Sequence, residues 1–319
     1  MERAPLTIDP ALFRPEAVSE ETRAFNRMLA ERGGPGLADM GVEKARQGGL
    51  MPPPVRSDRG EDRTIRGPGG APLGLRVVAP DTPRGVYLHL HGGGLILGSA
   101  DGQDARLAEI ADATGLACVS VDYRLAPEHP YPAAWDDAEA AALWLARNGA
   151  AEFGGAFLAI GGESAGATLA VPTLLRMRDR HGFTGFGAAA LSYGNYDSSG
   201  TPSNHWNGRD GLIIRDVDIA YCTQCYAPDP ATRRDPDMSA LYADLRDMPP
   251  ALFSVGTLDC FLDDSLFLAA RWVAAGNAAE IALYPGGIHG FTSFPYALGR
   301  EANARIDTFL TARLAEAGL

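Results

Sequence analysis

One serine of the chain stands in a pattern typical of an enzyme nucleophile. Ser164 is the centre of Gly162-Glu163-Ser164-Ala165-Gly166, which follows the predicted strand FLAI and directly precedes a predicted helix. The chain turns so sharply at such a serine that only small residues fit two positions on either side, and the hydroxyl is held exposed. The pattern alone is weak, but this strand–turn–helix context is the one it requires. Ser164 is therefore the predicted nucleophile of an acyl transfer.

A run of glycines follows an earlier predicted strand, VYLHL. It reads His91-Gly92-Gly93-Gly94, and such a run occurs by chance in only about one chain in a hundred. Glycines let the backbone approach a ligand closely and direct N–H groups at an oxyanion. A phosphate-binding loop is the alternative, but neither of the usual glycine-rich phosphate patterns follows. The run favours an oxyanion loop, with His91 as a structural hydrogen-bonding residue.

An acid and a base are expected after the serine, in the order Ser, Asp or Glu, His. Asp259 follows the predicted strand ALFSVG, and the carboxyl ends of strands are where α/β sheets place active groups. Asp263 and Asp264 are close rivals, but their place at the start of a helix favours capping. Of the six histidines, only His289 lies beyond Asp259. We predict Asp259 as the acid and His289 as the base.

Strands and helices alternate from about residue 72 onwards. The predicted strands are 75–78, 86–90, 118–121, 157–160, 188–192, 252–255 and 281–284, and the predicted helices are 105–113, 133–147, 165–178, 266–275 and 302–317. Such alternation predicts an α/β fold, in which a mostly parallel twisted sheet carries helices on both faces.

Two stretches stand outside this alternation. In the first, Ser19 is the predicted N-cap of a helix that ends at Gly33, and a linker is predicted from Met51 to Arg63. In the second, residues 197–240 form an unusually long connection between two strands. Its aromatic and aliphatic content predicts an ordered insertion.

Composition and charge limit the classes of partner. The chain has 319 residues, a net charge of −12 and 46% hydrophobic residues, which is ordinary for a globular protein with a sizeable core. The negative charge repels phosphate backbones and anionic lipids, so we expect neither nucleic acid nor a membrane as a partner. The charged, proline-broken N-terminus is unlike a signal peptide, and no apolar run reaches about 18 residues. We expect a soluble, cytoplasmic protein.

The four cysteines are Cys118, Cys222, Cys225 and Cys260, too few for a disulfide scaffold in a chain of this length. Cys222 and Cys225 form a C-x-x-C pair. Neither a second pair at zinc-ligand spacing nor a thioredoxin-like context accompanies it. We expect two reduced cysteines on one helix, and no metal.

Together, five motifs resemble those of bacterial esterases of the hormone-sensitive-lipase group, a family with the α/β-hydrolase fold. They occur in the family's order over about residues 75–291, and they are HGGG at 91–94, DYRLAPEHPYPAA at 122–134, GESAG at 162–166, GTLDCFLDD at 256–264 and YPGGIHGF at 284–291. The resemblance implies a serine carboxylesterase that needs no cofactor. Its nucleophile, acid and base would be Ser164, Asp259 and His289.

The resemblance also implies an oxyanion hole made by the amides of Gly92, Gly93 and Ala165. Two residues depart from the family's pattern: Glu163 stands where Asp or Thr is common, and Cys260 where Pro is common. We expect both departures to affect the shape of the pocket and the range of substrates.

A helical cap over the pocket is a further implication. Residues 1–60 and 197–240 would form this cap, and residues 61–196 and 241–319 the catalytic domain. The expected partner is a small ester with a short acyl chain, and the family likeness suggests a homodimer. Trp206 is expected either to line the substrate pocket or to pack within the cap.

Two other functions are compatible with the same motifs. One is an amidase or peptidase, although related peptidases usually carry a propeller domain, for which this chain has no room. The other is a ligand-binding homologue without activity. Such homologues lack the catalytic histidine, whereas His289 is present here.

Overall fold

A computed structural model describes residues 6–49 and 55–319. Within these ranges eight strands form one sheet in the order β1-β2-β4-β3-β5-β6-β7-β8. Strand β2 runs antiparallel to β1 and β4, and all other neighbours are parallel. The strands are β1 (Gly60–Arg66), β2 (Pro72–Val78), β3 (Gly85–Leu90), β4 (Ala117–Asp122), β5 (Phe157–Glu163), β6 (Phe186–Ser192), β7 (Ala251–Gly256) and β8 (Ala279–Tyr284).

The helices connect and cover these strands. They are α1 (Glu20–Arg32), α2 (Leu37–Met40), α3 (Val42–Lys44), α4 (Asp104–Thr114), α5 (Ala133–Phe153), α6 (Ala165–His181), α7 (Pro202–Trp206), α8 (Asp216–Tyr226), α9 (Leu262–Ala274) and α10 (Ala297–Glu316). In the part of the chain that the structure covers, none of them has both the length and the apolarity required to cross a bilayer.

Two hydrophobic layers sandwich the central strands. Val86, Leu88 and Leu90 of β3 belong to the layer that includes α5 and α6, whereas Tyr87 belongs to the layer with α4 and α10. Every residue of β3 is buried, as expected for a parallel strand covered on both faces. The predicted α/β fold is confirmed, and each predicted strand and helix from residue 72 onwards is present.

The linker predicted from Met51 to Arg63 extends too far at its C-terminal end. Residues 60–63 begin β1, while residues 51–54 lie outside the described ranges. Strand β1 is an edge strand in which only Ile65 is buried, so its sequence carries no alternation of apolar and polar residues that a pattern could detect.

The two segments predicted to form the cap contact each other. Ser19 caps α1 and Gly33 ends it, as predicted. Further along, the amide of Ala38 in α2 donates a 2.8 Å hydrogen bond to Asp218 in α8. The contact supports a cap made from both segments, and the boundaries of cap and catalytic domain stay a prediction.

Candidate active site

Ser164 lies in the sharp turn between β5 and α6. Its backbone has φ 53° and ψ −119°, which is strained for a residue with a side chain. A Cβ atom at Gly162 would lie 2.0 Å from the carbonyl oxygen of Leu90, and one at Gly166 would lie 1.8 Å from it. Only glycine fits at either position, for the steric reason that the sequence pattern predicts.

A relay of hydrogen bonds joins Ser164 to the two other predicted residues. The Ser164 hydroxyl lies 2.9 Å from Nε2 of His289, and Nδ1 of that ring lies 3.1 and 3.2 Å from the two carboxylate oxygens of Asp259. Asp259 is completely buried, and the amide of Phe261 also donates to its Oδ1 at 2.9 Å. The structure therefore brings together all three side chains that the sequence singles out.

The two rival aspartates have other partners. Asp264 accepts hydrogen bonds from the amides of Tyr196 and Asp197 and from the side chains of Thr201 and Asn204. The expectation that it caps α9 is wrong, because these bonds instead join α9 to the start of the insertion. Burial raises its pKa to about 7, although the four hydrogen bonds act in the opposite direction.

The neighbouring Asp263 serves the same junction. Its Oδ2 accepts a 2.8 Å hydrogen bond from the amide of Ser203, and its own amide donates to the Ser203 hydroxyl at 3.0 Å. A capping role is therefore wrong for Asp263 as well, since its carboxylate binds an amide of α7 instead of one of its own helix.

The glycine run forms a loop beside Ser164, but one of its predicted amides is occupied. The amide of Gly92 donates a 2.9 Å hydrogen bond to Oε1 of Glu163. Its assignment to the oxyanion hole is therefore wrong. The amides of Gly93 and Gly94 donate to no acceptor in residues 6–49 or 55–319. Gly94 also lines a cavity together with Ser164 and Ala165.

Positive φ angles give this loop its shape. Gly93 has φ 121° and Gly94 has φ 63°, a region that residues with a side chain rarely adopt. The amide of Ala165, the first residue of α6, has no acceptor within its own helix because it lies in the first turn. The structure thus favours Gly93, Gly94 and Ala165 over the predicted trio. The sequence feature that could have indicated Gly94 is that it is the third glycine of the HGGG motif.

Glu163 links the loop to the centre of the sheet. Its Oε2 lies 3.0 Å from Nε2 of His89, and Nδ1 of His89 lies 2.9 Å from the hydroxyl of Ser120. Burial acts to raise the pKa of Glu163, yet His89 and the Gly92 amide hold it below its ordinary value. The carboxylate is therefore ionised at neutral pH. The sequence marks Glu163 as a departure from the family's pattern, but its partners become evident only in the fold.

His91 has the structural role that the sequence favours. Its ring stacks on that of Tyr123 with centroids 4.1 Å apart, and its Nδ1 lies 2.8 Å from the carbonyl oxygen of Gly92. Burial lowers its pKa to about 4, so the ring is neutral at pH 7 and does not act as a charged group near Ser164.

A cavity opens in front of Ser164. Helix α8 covers it with one face, which carries Ile219, Cys222, Thr223 and Tyr226 at helical spacing. These side chains come from the insertion that the sequence predicts to be ordered. Helix α8 therefore forms a largely apolar roof over the cavity that Ser164 also lines.

Comparisons with known proteins identify the family and the fold. A family profile for the alpha/beta hydrolase fold matches residues 87–293, more than half of the chain. The chain belongs to this family. Esterase LipI of Mycobacterium tuberculosis is 35% identical to the hydrolase over 271 residues, which cover 80% of this chain and 83% of LipI. Carboxylesterase NlhH of the same species is 32% identical, with 82% and 85% covered.

A solved structure gives the same result. The hyperthermophilic esterase from the archaeon Pyrobaculum calidifontis superimposes with a TM-score of 0.83 at 32% identity, covering 92% of this chain and 98% of that one. The resemblance to the hormone-sensitive-lipase group is confirmed, and the hydrolase is an enzyme of the carboxylic ester hydrolase class.

Trp206 does not lie where the sequence suggested. It ends α7, is 70% exposed, and is not among the residues that line the cavity. The buried face of α7 instead carries Ser203 and Asn204, which bind the carbonyl of Cys260. Because that face points inward, Trp206 points to the surface, and its predicted place in the packing of the cap is wrong. A place beside the alcohol portion of a substrate stays a prediction.

The cysteines are reduced, as expected. Cys222 and Cys225 both lie on α8 and are free thiols. Among the described residues, Asp259, Cys260 and His289 are the group close enough together to share a metal ion. Burial raises the pKa of Cys260 well above its ordinary value, whereas a thiol must ionise to bind a metal. We therefore assign these three residues to the relay and its surroundings.

Proposed function

We propose that the hydrolase is a serine carboxylesterase that cleaves small esters with short acyl chains. The observation that carries the proposal is the relay from Asp259 through His289 to Ser164, beside free amides and under a roofed cavity. Nucleophile, base and orienting acid within hydrogen-bond reach are the arrangement that covalent acyl transfer requires.

The reaction proceeds in two halves. His289 takes the proton of Ser164 as its oxygen attacks the ester carbonyl, and Asp259 holds the imidazole in the correct tautomer and stabilises its charged form. His289 then gives the proton to the departing alcohol, which leaves an acyl-serine. In the second half His289 activates a water molecule, which releases the acid and restores Ser164.

The negative charge that develops on the carbonyl oxygen needs donors in place before the reaction. The amides of Gly93, Gly94 and Ala165 fill this role in our proposal, replacing the trio predicted from sequence. Each preorganised donor of this kind contributes about 10²- to 10³-fold to kcat in a site that excludes water.

The roofed cavity favours short acyl chains, from acetyl to about hexanoyl. Side chains of α8 bound the cavity, which limits the length of the chain that it can hold. We expect kcat/KM for p-nitrophenyl esters to peak within this range and to fall for longer chains. A maximum at dodecanoyl or beyond would contradict this substrate class.

Two measurements separate the esterase from the alternative functions. Matched ester and amide substrates should differ strongly in kcat/KM in favour of the ester, whereas equal rates would support an amidase. A fluorophosphonate probe should label the wild type but not Ser164→Ala. A protein that remains unlabelled in both forms would be a binding homologue instead.

A further inference from the structure

Asn195 is a polar side chain of the cavity to which the reaction steps assign no part. It follows β6 by three residues and is 9% exposed. The backbone amide of Asn195 donates to the hydroxyl of Thr168 at 2.9 Å, and that hydroxyl donates to the backbone carbonyl of Ser164 at 3.1 Å. Two hydrogen bonds therefore separate Asn195 from the backbone of the nucleophile, and both residues line the same cavity.

The side-chain amide of Asn195 has one partner and one free donor. Its Oδ1 accepts a hydrogen bond from the amide of Asp197 at 3.2 Å, which fixes the orientation of the group, because the opposite orientation would bring two donors together. Its Nδ2 has no acceptor within residues 6–49 and 55–319. This donor is open to the cavity, so a substrate that excludes water from the cavity must supply an acceptor or leave the donor unpaired, which is costly.

The position of His289 indicates which part of the ester meets this donor. The imidazole must reach the leaving oxygen to protonate it, so the alcohol portion lies on the side of His289. That residue is not among those lining the cavity, which continues past Ser164 towards Asn195 and α8. The cavity is therefore the place of the acyl group.

The surroundings of Asn195 make its donor selective. Ile214, Ile219 and Phe261 form apolar walls of the same cavity. The hydroxyls of Thr168, Thr223 and Tyr226 also line the cavity, but each donates to another group of the protein. A free donor beside apolar walls orients the ligand and discriminates between ligands with and without a matching group. A plain alkyl chain leaves the Nδ2 donor unpaired, whereas an oxygen in the chain pairs with it.

We propose that Nδ2 of Asn195 donates a hydrogen bond to an oxygen carried by the acyl group. The preferred substrates are then esters of short acids with an ether, hydroxyl or keto oxygen in the chain, ahead of esters of simple alkanoic acids. This inference rests on the proposed esterase function and specifies its substrate class.

The test compares esters that differ by one oxygen in place of one methylene. One pair is p-nitrophenyl methoxyacetate and butyrate, and the other is p-nitrophenyl 3-methoxypropanoate and pentanoate. The quantity of interest is the ratio of kcat/KM within a pair, measured for the wild type and for Asn195→Asp. Aspartate keeps the shape and the acceptor for Asp197 but removes the donor, and the electronic effect of the ether oxygen cancels between the two proteins.

We expect the ratio to fall about 5- to 10-fold in Asn195→Asp, and equally in Asn195→Leu, for the pair whose oxygen reaches the amide. Thr223→Val is the matched control, because it removes a hydroxyl of the cavity lining that already donates to Tyr226, and it should leave the ratio at its wild-type value.

Three results would overturn the inference. Unchanged ratios in both Asn195 variants, with butyrate still hydrolysed, would refute the role of Asn195 and leave the esterase proposal intact. If the kcat/KM ratio fell in the Asn195 variants only for the pair 2-methoxyethyl acetate and butyl acetate, the donor would face the alcohol portion of the ester instead of the acyl group. Failure of the wild type to cleave any of these esters would end both proposals.

If neither Asn195 variant folds, inhibition of the wild-type enzyme by the acid products tests the inference instead. Methoxyacetate or 3-methoxypropanoate should inhibit the wild type about 5- to 10-fold more strongly than butyrate or pentanoate, respectively. Equal inhibition within both pairs would overturn the inference without any substitution.

Discussion

The carboxylate of Glu163 accepts the amide hydrogen of Gly92 at 2.9 Å, across 71 positions of sequence. One bond thus ties the turn that carries Ser164 to the loop that carries Gly93 and Gly94. Because Glu163 is also held by His89, the loop is anchored to the sheet and its two free amides keep a fixed position.

Removal of the Glu163 carboxylate should weaken stabilisation of the transition state more than it weakens binding of the substrate. We expect Glu163→Ala to lower kcat about 10- to 100-fold with little change in KM, because the displaced amides lose their aim at the oxyanion. Steady-state kinetics on p-nitrophenyl butyrate measure kcat and KM separately. Glu163→Gln is the control, since its oxygen can accept from Gly92 and its amide can hydrogen-bond to the ring of His89, so it should retain most of kcat. Equal losses in the two variants would refute a positioning role.

Gly166 should tolerate no side chain. Its Cβ would lie 1.8 Å from a backbone oxygen, which cannot yield as a flexible side chain can. We expect Gly166→Ala to lower the free energy of unfolding by about 2 kcal/mol or more, measured by urea denaturation.

Gly149 provides the matched helical control. A Cβ there meets its nearest atoms at 3.5 Å, an ordinary contact, so Gly149→Ala should stabilise α5 by about 0.5–1 kcal/mol. If both substitutions had the same effect on unfolding, the steric account of the turn would be incorrect.

Asp264 should make stability depend on pH. Its pKa is raised from 3.8 to about 7 by burial, so between these values the folded protein holds a proton that the unfolded chain has lost. Stability from this group is therefore complete below about pH 4 and is lost as pH rises to about 7. The free energy of unfolding of the wild type, less that of Asp264→Asn, should be larger near pH 5 than near pH 8. A difference that is constant, or larger near pH 8, would contradict this.

Asp259 should act on the rate through His289. Asparagine keeps the shape but cannot hold the imidazole in the required tautomer, so we expect Asp259→Asn to lower kcat about 10⁴-fold. Asp263→Asn, four residues further along, keeps an oxygen that can accept from the amide of Ser203 and serves as the control. If the two substitutions had comparable effects on kcat, Asp259 would not be the acid.

The sequence was informative where function depends on short local patterns. The turn at Ser164 follows from small residues two positions away on each side, and Asp259 and His289 follow strands whose carboxyl ends share one edge of the sheet. The buried strands and amphipathic helices could be predicted in the same way, from runs of apolar residues and from apolar residues at helical spacing.

What the sequence did not reveal depends on contacts between distant segments. The amide of Gly92 looks equivalent to its neighbours until the carboxylate of Glu163 is placed beside it. Asp264 resembles a helix cap until residues 196–204 supply four donors around it. Trp206 is aromatic in a predicted cap, but the opposite face of its short helix binds residues 260–264 and turns it outward.

The most direct test of the esterase account is the kinetics of Ser164→Ala. The account predicts that kcat on p-nitrophenyl acetate falls about 10⁶-fold, while the circular dichroism spectrum and the urea midpoint stay close to those of the wild type. A folded variant that keeps substantial activity would show that the nucleophile lies elsewhere and would contradict the account.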